Sequence, residues 1–172
     1  VSFWLVPEEG DRQTFQTLIN ALAHRYDTVP FLPHVTLYSG PCSVLPTLDA
    51  LLDQAIQGIS PFELEIAGLR YSRRFSKTLF VQLRPTDTLH RLATRLRQTL
   101  PHPTGYDFDP HLSLIYQVLD EATQQTLVET IALPKATIGF DEVQAVATPE
   151  SFETLSDIKS LRRLYTKSLH SR

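Results

Sequence analysis

Residues 31–37 read Phe31-Leu32-Pro33-His34-Val35-Thr36-Leu37, and residues 108–114 read Phe108-Asp109-Pro110-His111-Leu112-Ser113-Leu114. Both are Phe-x-Pro-His, then an aliphatic residue, a small hydroxyl residue and Leu. The apolar alternation marks each as a short strand, with Pro at the first position, where no ladder donor is needed. Successive strand side chains point to opposite faces, so His34 shares a face with Thr36, and His111 with Ser113. Val35, Leu37, Leu112 and Leu114 face the other way and can bury. If the two strands lie side by side, two imidazoles and two hydroxyls converge on a volume of phosphate size. A single His-x-Thr is most often a satisfied, partly buried histidine. Two copies sharing the preceding Pro, the upstream aromatic and the trailing Leu outweigh that bland reading.

Around each motif the chain repeats a plan. Ser2–Val6 reads as a strand closed by Pro7 and Gly10, and Asp11 is placed to cap a helix whose apolar face is Phe15, Leu18, Ile19, Leu22 and Tyr26. After the first motif, Gly40-Pro41 breaks the chain. Ser43 can cap a helix carrying Leu45, Leu48, Leu52, Ile56 and Ile59. Pro61–Tyr71 and Thr78–Leu83 read as strands. Pro85 and Thr86 open a helix with Leu89, Leu92, Ala93, Leu96 and Leu100, each 74 positions after its counterpart (89 − 15 = 74). The turn-rich Pro101–Asp109 leads to the second motif, whose histidine lies 77 positions after the first (111 − 34 = 77). Asp120 can cap a helix with Ala122, Leu127, Val128 and Ile131, and Ala136–Ala147 is again strand-like. The order is strand, helix, strand, helix, strand, twice, over roughly 1–71 and 78–147, a period suited to a duplicated lobe and too long for a solenoid. In the tail after Pro149, Leu155, Ile158 and Leu161 suit a short helix and Leu164–Leu169 an edge strand.

Composition narrows the function. The 172 residues, 42% hydrophobic and 20% charged, suit one domain or two small lobes sharing a core. The single Cys42 cannot form an internal bridge, and the inert reading beside a Gly-Pro turn fits it best. The absence of Met is taken as loss of the initiator. There is no membrane-length apolar run and no secretory signal pattern, so a cytoplasmic location is expected. A net charge of −3 provides no broad basic field for nucleic-acid backbones. A phosphate ligand needs a local patch, and Arg70, Arg73, Arg74 and Lys77, interleaved with Tyr71 and Phe75, offer one. For most of those four residues a solvated loop is the simpler reading. The sequence has no Gly-rich phosphate loop and no ligand cluster at metal spacing.

These residues resemble the two-histidine phosphoesterase superfamily, whose mark is a pair of His-x-Thr/Ser motifs on pseudo-symmetric lobes. Within it the chain is most similar to the cyclic phosphodiesterases of plants and fungi. Three stretches carry that likeness: Ser2-Phe3-Trp4-Leu5-Val6-Pro7, Phe31-x-Pro-His34-Val-Thr36, and Pro110-His111-Leu-Ser113-Leu-Ile-Tyr116. It covers nearly the whole chain, to about Ala147. The resemblance implies an α+β fold: a single two-lobed domain over 1–172, its duplicated lobes related by a pseudo-twofold. Antiparallel sheets would line a central cleft, with helices packed outside. It implies hydrolysis of nucleoside 2′,3′-cyclic phosphate or ADP-ribose 1″,2″-cyclic phosphate by His34 and His111. Thr36 and Ser113 would hold the phosphate, and Tyr116 and Trp4 would contribute to substrate binding; from the basic loop, Lys77 is the candidate further donor to the phosphate. Strict strand alternation would aim Tyr116 at the opposite face from His111, so its place in the site needs a strand end or bulge at Ile115.

Opening a cyclic phosphate requires a proton to leave the attacking water and another to reach the departing sugar oxygen. Two histidines, one neutral and one charged, serve both needs near neutral pH. No metal and no cofactor are called for, and which histidine is acid and which is base stays open. A monomer acting on a small cyclic nucleotide or ADP-ribose derivative is the expectation. One alternative is an enzyme acting on RNA 3′ ends, hydrolysing a terminal cyclic phosphate or joining a 2′,5′ bond. Another is a non-catalytic module that binds nucleotides or phosphorylated ends.

Overall fold

The structure is a computed structural model and describes residues 1–41, 47–100 and 105–170. Cys42 and the Ser43 cap fall outside the described residues. The elements run β1 (Ser2–Pro7), α1 (Glu9–Arg25), β2 (Val35–Ser39), α2 (Leu48–Ile56) and β3 (Phe62–Tyr71), then a one-turn 3₁₀ helix (Phe75–Lys77). There follow β4 (Leu79–Leu83), α3 (Asp87–Thr99), β5 (His111–Ile115), α4 (Glu121–Thr130), β6 (Thr137–Ala147), α5 (Leu155–Ser160) and β7 (Arg162–Ser168). The strands form one antiparallel sheet in the order β1-β2-β5-β4-β3-β6-β7, and β1 also pairs with β6. That extra pairing closes six of the seven strands into a ring, which removes edges that would otherwise be free to recruit other chains.

The register shows the sequence repeat at residue level. β2 meets β5 at Val35↔Leu112, the residue after each motif histidine. β3 meets β6 through Leu64↔Ile138, which are 74 positions apart (138 − 64 = 74). Trp4 pairs with Thr36, and Phe80 with Ser113, and the same register shift follows each pair: Phe3↔Tyr38 in one half, Leu79↔Ile115 in the other. Trp4 and Phe80 are therefore equivalent positions, as are Ser39 and Tyr116. Each first helix packs across the repeat: α1 lies on β5, and α3 on β2.

The apolar faces read from the sequence form the core. Phe15, Ile19 and Leu22 of α1 and Leu89, Leu92 and Leu96 of α3 are buried with Val35, Leu37, Leu112 and Leu114 of the motif strands. Thr86 accepts from the Leu89 amide at 3.3 Å and Asp120 from the Thr123 amide at 2.9 Å, capping α3 and α4. Asp11 does not cap α1, which starts two residues earlier, at Glu9. Its buried carboxylate instead accepts the Gly139 amide at 2.7 Å and pairs with Lys135, fastening the helix start to β6. A Cβ at Gly139 would stand 2.6 Å from the Glu8 carboxylate carbon, so a larger residue there would have to displace the end of that exposed side chain. The tail forms a Thr154–Asp157 capping box, α5, and β7 against β6. No helix among the described residues is long and apolar enough to cross a membrane.

Candidate active site

Both motif histidines are held in the same way. His34 Nδ1 lies 2.6 Å from the Leu32 carbonyl, and His111 Nδ1 lies 2.7 Å from the Asp109 carbonyl, two residues upstream in each case. A carbonyl can only accept, so each Nδ1 carries the proton and each Nε2 is left for chemistry. The residue between histidine and carbonyl is Pro33 or Pro110, whose ring fixes φ and so helps hold that short loop in shape. This gives the repeated Pro a physical reason. β2 begins only at Val35, so His34 sits just before its strand, whereas His111 opens β5.

One cleft of about 560 Å³ is lined by His34, Thr36, His111 and Ser113, together with Trp4, Lys77 and Tyr116. All seven residues singled out in the sequence are brought together. Tyr116 joins them because β5 ends at Ile115, so the alternation that would have turned the ring away no longer applies. Its ring stacks on Phe31 with centroids 3.7 Å apart, and its hydroxyl is 3.4 Å from His34 Nε2. The motif phenylalanine thus supports the site, and Phe31 also meets His34 edge-on at 6.2 Å.

Trp4 lies on the imidazole of His34, centroids 3.6 Å apart and planes within 10°. With one face covered and the residue only 6% exposed, it offers little platform for a substrate base. Its equivalent, Phe80, meets His111 edge-on at 5.3 Å and supports Lys77 Nζ at 4.4 Å from its ring centroid. Lys77 pairs with Asp109, which also accepts from Gln82 Nε2 at 2.8 Å. Of the remaining basic residues only Arg74 reaches the cleft; Arg73 is exposed and 3.4 Å from Glu121. Ser113 Oγ donates to the Ser76 carbonyl at 2.8 Å.

Burial governs the ionisation. It pushes His34 down to about 4; the Leu32 carbonyl pulls partly the other way, and charge on His111 adds to the depression. His111 is lowered too, by burial first, and Lys77 adds to this while the Asp109 carbonyl opposes it. Tyr106 is raised to about 12 and Tyr116 is also raised, both chiefly by burial, so both phenols stay neutral donors. Burial pushes the Asp109 carboxyl up, but bonds from Lys77 and Gln82 outweigh it and hold the group below its ordinary range. Among the described residues no group of three or more His, Cys, Asp or Glu side chains could hold a metal ion.

The depressed pKa of His34 has a consequence for stability. As pH falls below about 6.5 the unfolded chain takes the proton first, so stability present above that pH is lost progressively towards about pH 4. Over that window the wild-type protein should lose about 3 kcal/mol more than His34→Gln, which has no ring to titrate. Urea unfolding of both at a series of pH values checks this. Parallel pH profiles would contradict a buried neutral imidazole.

Sequence reasoning missed Phe80, Tyr106 and Asp109, which also line the cleft. Phe80 could have been found as the repeat equivalent of Trp4, but their offset of 76 (80 − 4 = 76) matches neither the helix nor the motif offset. Asp109 bonds His111 through its backbone, which leaves no trace in residue identity.

Known proteins resemble the chain over most of its length. The 2′-5′ RNA ligase superfamily profile matches residues 6–150. A cyclic phosphodiesterase of Arabidopsis thaliana is 23% identical over 128 residues, covering 74% of this chain and 71% of that one. A 2′,3′-cyclic-nucleotide 3′-phosphodiesterase of Yarrowia lipolytica is 26% identical over 184 residues, covering 82% and 85%. The fold is shared with Escherichia coli LigT in complex with 3′-AMP (TM-score 0.56, 17% identity, 99% of this chain and 97% of that one). It is also shared with TT0787 of Thermus thermophilus (TM-score 0.60, 18% identity, 98% and 96%). With a profile match over most of its length and a His-x-Thr/Ser strand in each half of one closed sheet, the chain belongs to the 2′-5′ RNA ligase superfamily of two-histidine phosphoesterases.

Proposed function

We propose that this protein hydrolyses small cyclic phosphodiesters, nucleoside 2′,3′-cyclic or ADP-ribose 1″,2″-cyclic phosphate, to a phosphomonoester. One observation carries the reading: two imidazoles, each fixed through Nδ1, leave both Nε2 atoms to the same cleft. The cleft volume is within the usual range for small-molecule sites, on the order of 300–1,000 Å³. The named activities of the Arabidopsis and Yarrowia relatives support a cyclic phosphate substrate.

In the reaction, a water attacks phosphorus while His34 Nε2 takes its proton. The P–O bond to one sugar oxygen breaks, and His111 Nε2–H protonates that oxygen. His34 suits the base role because burial keeps it neutral and its Nδ1–H bond to the Leu32 carbonyl leaves the lone pair on Nε2. His111 is less buried, and the anionic phosphate favours its charged form. Thr36, Ser113 and Lys77 supply donors to the non-bridging oxygens, where charge builds up. Trp4 serves as a positioning residue, holding the His34 ring so that Nε2 faces phosphorus.

Proton transfer by two imidazoles needs no metal. Turnover of a nucleoside 2′,3′-cyclic phosphate, followed by ³¹P NMR, should be unchanged by dialysis against excess chelator. Loss of activity restored by zinc or magnesium would contradict the mechanism. The superfamily match favours one second reading, action on an RNA 3′ end. A parallel assay with an oligoribonucleotide ending in a cyclic phosphate decides between them by comparing kcat/KM.

A further inference from the structure

The two halves of the cleft are built on the same register, and among the equivalent pocket-facing positions one pair differs most in size, Ser39 and Tyr116. Following the strand pairs from the histidines, the first half presents His34, Thr36 and then Ser39, and the second presents His111, Ser113 and then Tyr116. The phenol of Tyr116 crosses to the opposite histidine, His34. Its counterpart Ser39 ends after a single hydroxyl. Phe31 stacks on Tyr116, but its counterpart Phe108 has no such ring at position 39 and meets His90 instead, at 5.8 Å. The repeat therefore fills one side of the cleft with an aromatic ring and ends the other in hydroxyls.

That side is lined by Ser39 with Ser2 and Thr148. Ser2 Oγ is 2.7 Å from Ser39 Oγ and 3.3 Å from Thr148 Oγ1, and Ser2 is only 4% exposed. Three hydroxyls bring three protons, and two contacts within the group use two of them. One donor and several lone pairs remain for a ligand. The cations lining the cleft, Arg74 and Lys77, stand with the β4–β5 half beside Asp107 and Asp109, whereas among the described residues the hydroxyl end carries only an anion, Glu150, beyond Thr148. A second phosphate is unwelcome at the hydroxyl end. A neutral group rich in hydrogen-bonding atoms fits it.

We infer that Ser2, Ser39 and Thr148 form the subsite for the nucleoside part of the substrate, its sugar hydroxyls and base edge, while the cyclic phosphate lies between the histidines. The inference rests on the cyclic phosphodiesterase reading and adds an orientation to it. It is tested with two substrates, a nucleoside 2′,3′-cyclic phosphate and glycerol 1,2-cyclic phosphate, which has the reacting ring but no nucleoside. Ser39→Ala removes that residue's hydroxyl and should raise KM for the nucleoside substrate about three- to tenfold. It should leave the glycerol substrate within about twofold, since that substrate has no nucleoside to engage the subsite. Thr148→Val, which keeps the shape and removes the hydroxyl, should raise KM for the nucleoside substrate alone, about three- to tenfold. Thermal melting of each variant shows that the fold is kept. Equal losses on both substrates, or none on either, would overturn the subsite. Absence of turnover of both substrates by the unmodified protein would instead overturn the cyclic phosphodiesterase reading.

Discussion

His34→Ala and His111→Ala each lower kcat for a nucleoside 2′,3′-cyclic phosphate by about 10²- to 10⁴-fold, the usual worth of a positioned acid or base. The double variant loses little more than either single one, because residues that act as a unit do not contribute additively. Steady-state rates with purified variants test this. His34 is buried between Trp4, Phe31 and Tyr116, so its removal also leaves a cavity and an unpaired Leu32 carbonyl. His34→Gln is the control, since it fills much of the space without offering a titrating nitrogen. His111 is less enclosed, and its alanine variant should fold normally and regain part of its rate with added imidazole. Near-normal turnover by folded His111→Ala would contradict a site served by both rings.

The second large effect falls on the hydroxyls, and it is unequal. Thr36→Ala should lower kcat by roughly ten- to a thousandfold, the scale of a lost donor to developing charge. Ser113→Ala should lie at the low end of that range. The Ser113 proton is already given to the Ser76 carbonyl, so binding phosphate exchanges one hydrogen bond for another. The Thr36 hydroxyl lines the cleft without such a bond among the described residues. Measuring kcat at saturating substrate for both variants decides it. A greater loss from Ser113→Ala would show that the Ser76 bond is released more easily than its geometry suggests.

Much of this was legible because it depends on residue type at fixed spacing. The apolar faces of α1 and α3, the alternation of the motif strands, the helix start at Thr86 and the cap Asp120 are local properties, and each landed where the pattern put it. The convergence of His34, Thr36, His111 and Ser113 followed from the repeat, and the Val35↔Leu112 pair shows the reason: equivalent strands are neighbours. Other features depend on backbone atoms or on distant chain. The carbonyls of Leu32 and Asp109 orient the histidines whatever side chains those residues carry. The placement of Tyr116 depends on where β5 ends, which no side chain announces. The stacking of Trp4 on His34 arises from the β1–β2 register, whose shift beside Trp4 breaks simple counting. Asp11 has the composition of a cap, but a partner 128 residues away takes its carboxylate.

The central claim, that both Nε2 atoms serve one phosphorus, is tested most directly by NMR of the protein labelled with ¹⁵N in its histidine rings. The probe is a nucleoside 2′,3′-cyclic vanadate, which mimics five-coordinate phosphorus. Without ligand, both His34 and His111 should show a protonated Nδ1 and an unprotonated Nε2 at alkaline pH. On titration with the vanadate, both Nε2 resonances should shift together at the same ligand concentration while both Nδ1 atoms stay protonated. A shift of one ring alone, or of neither while the ligand binds, would contradict the account.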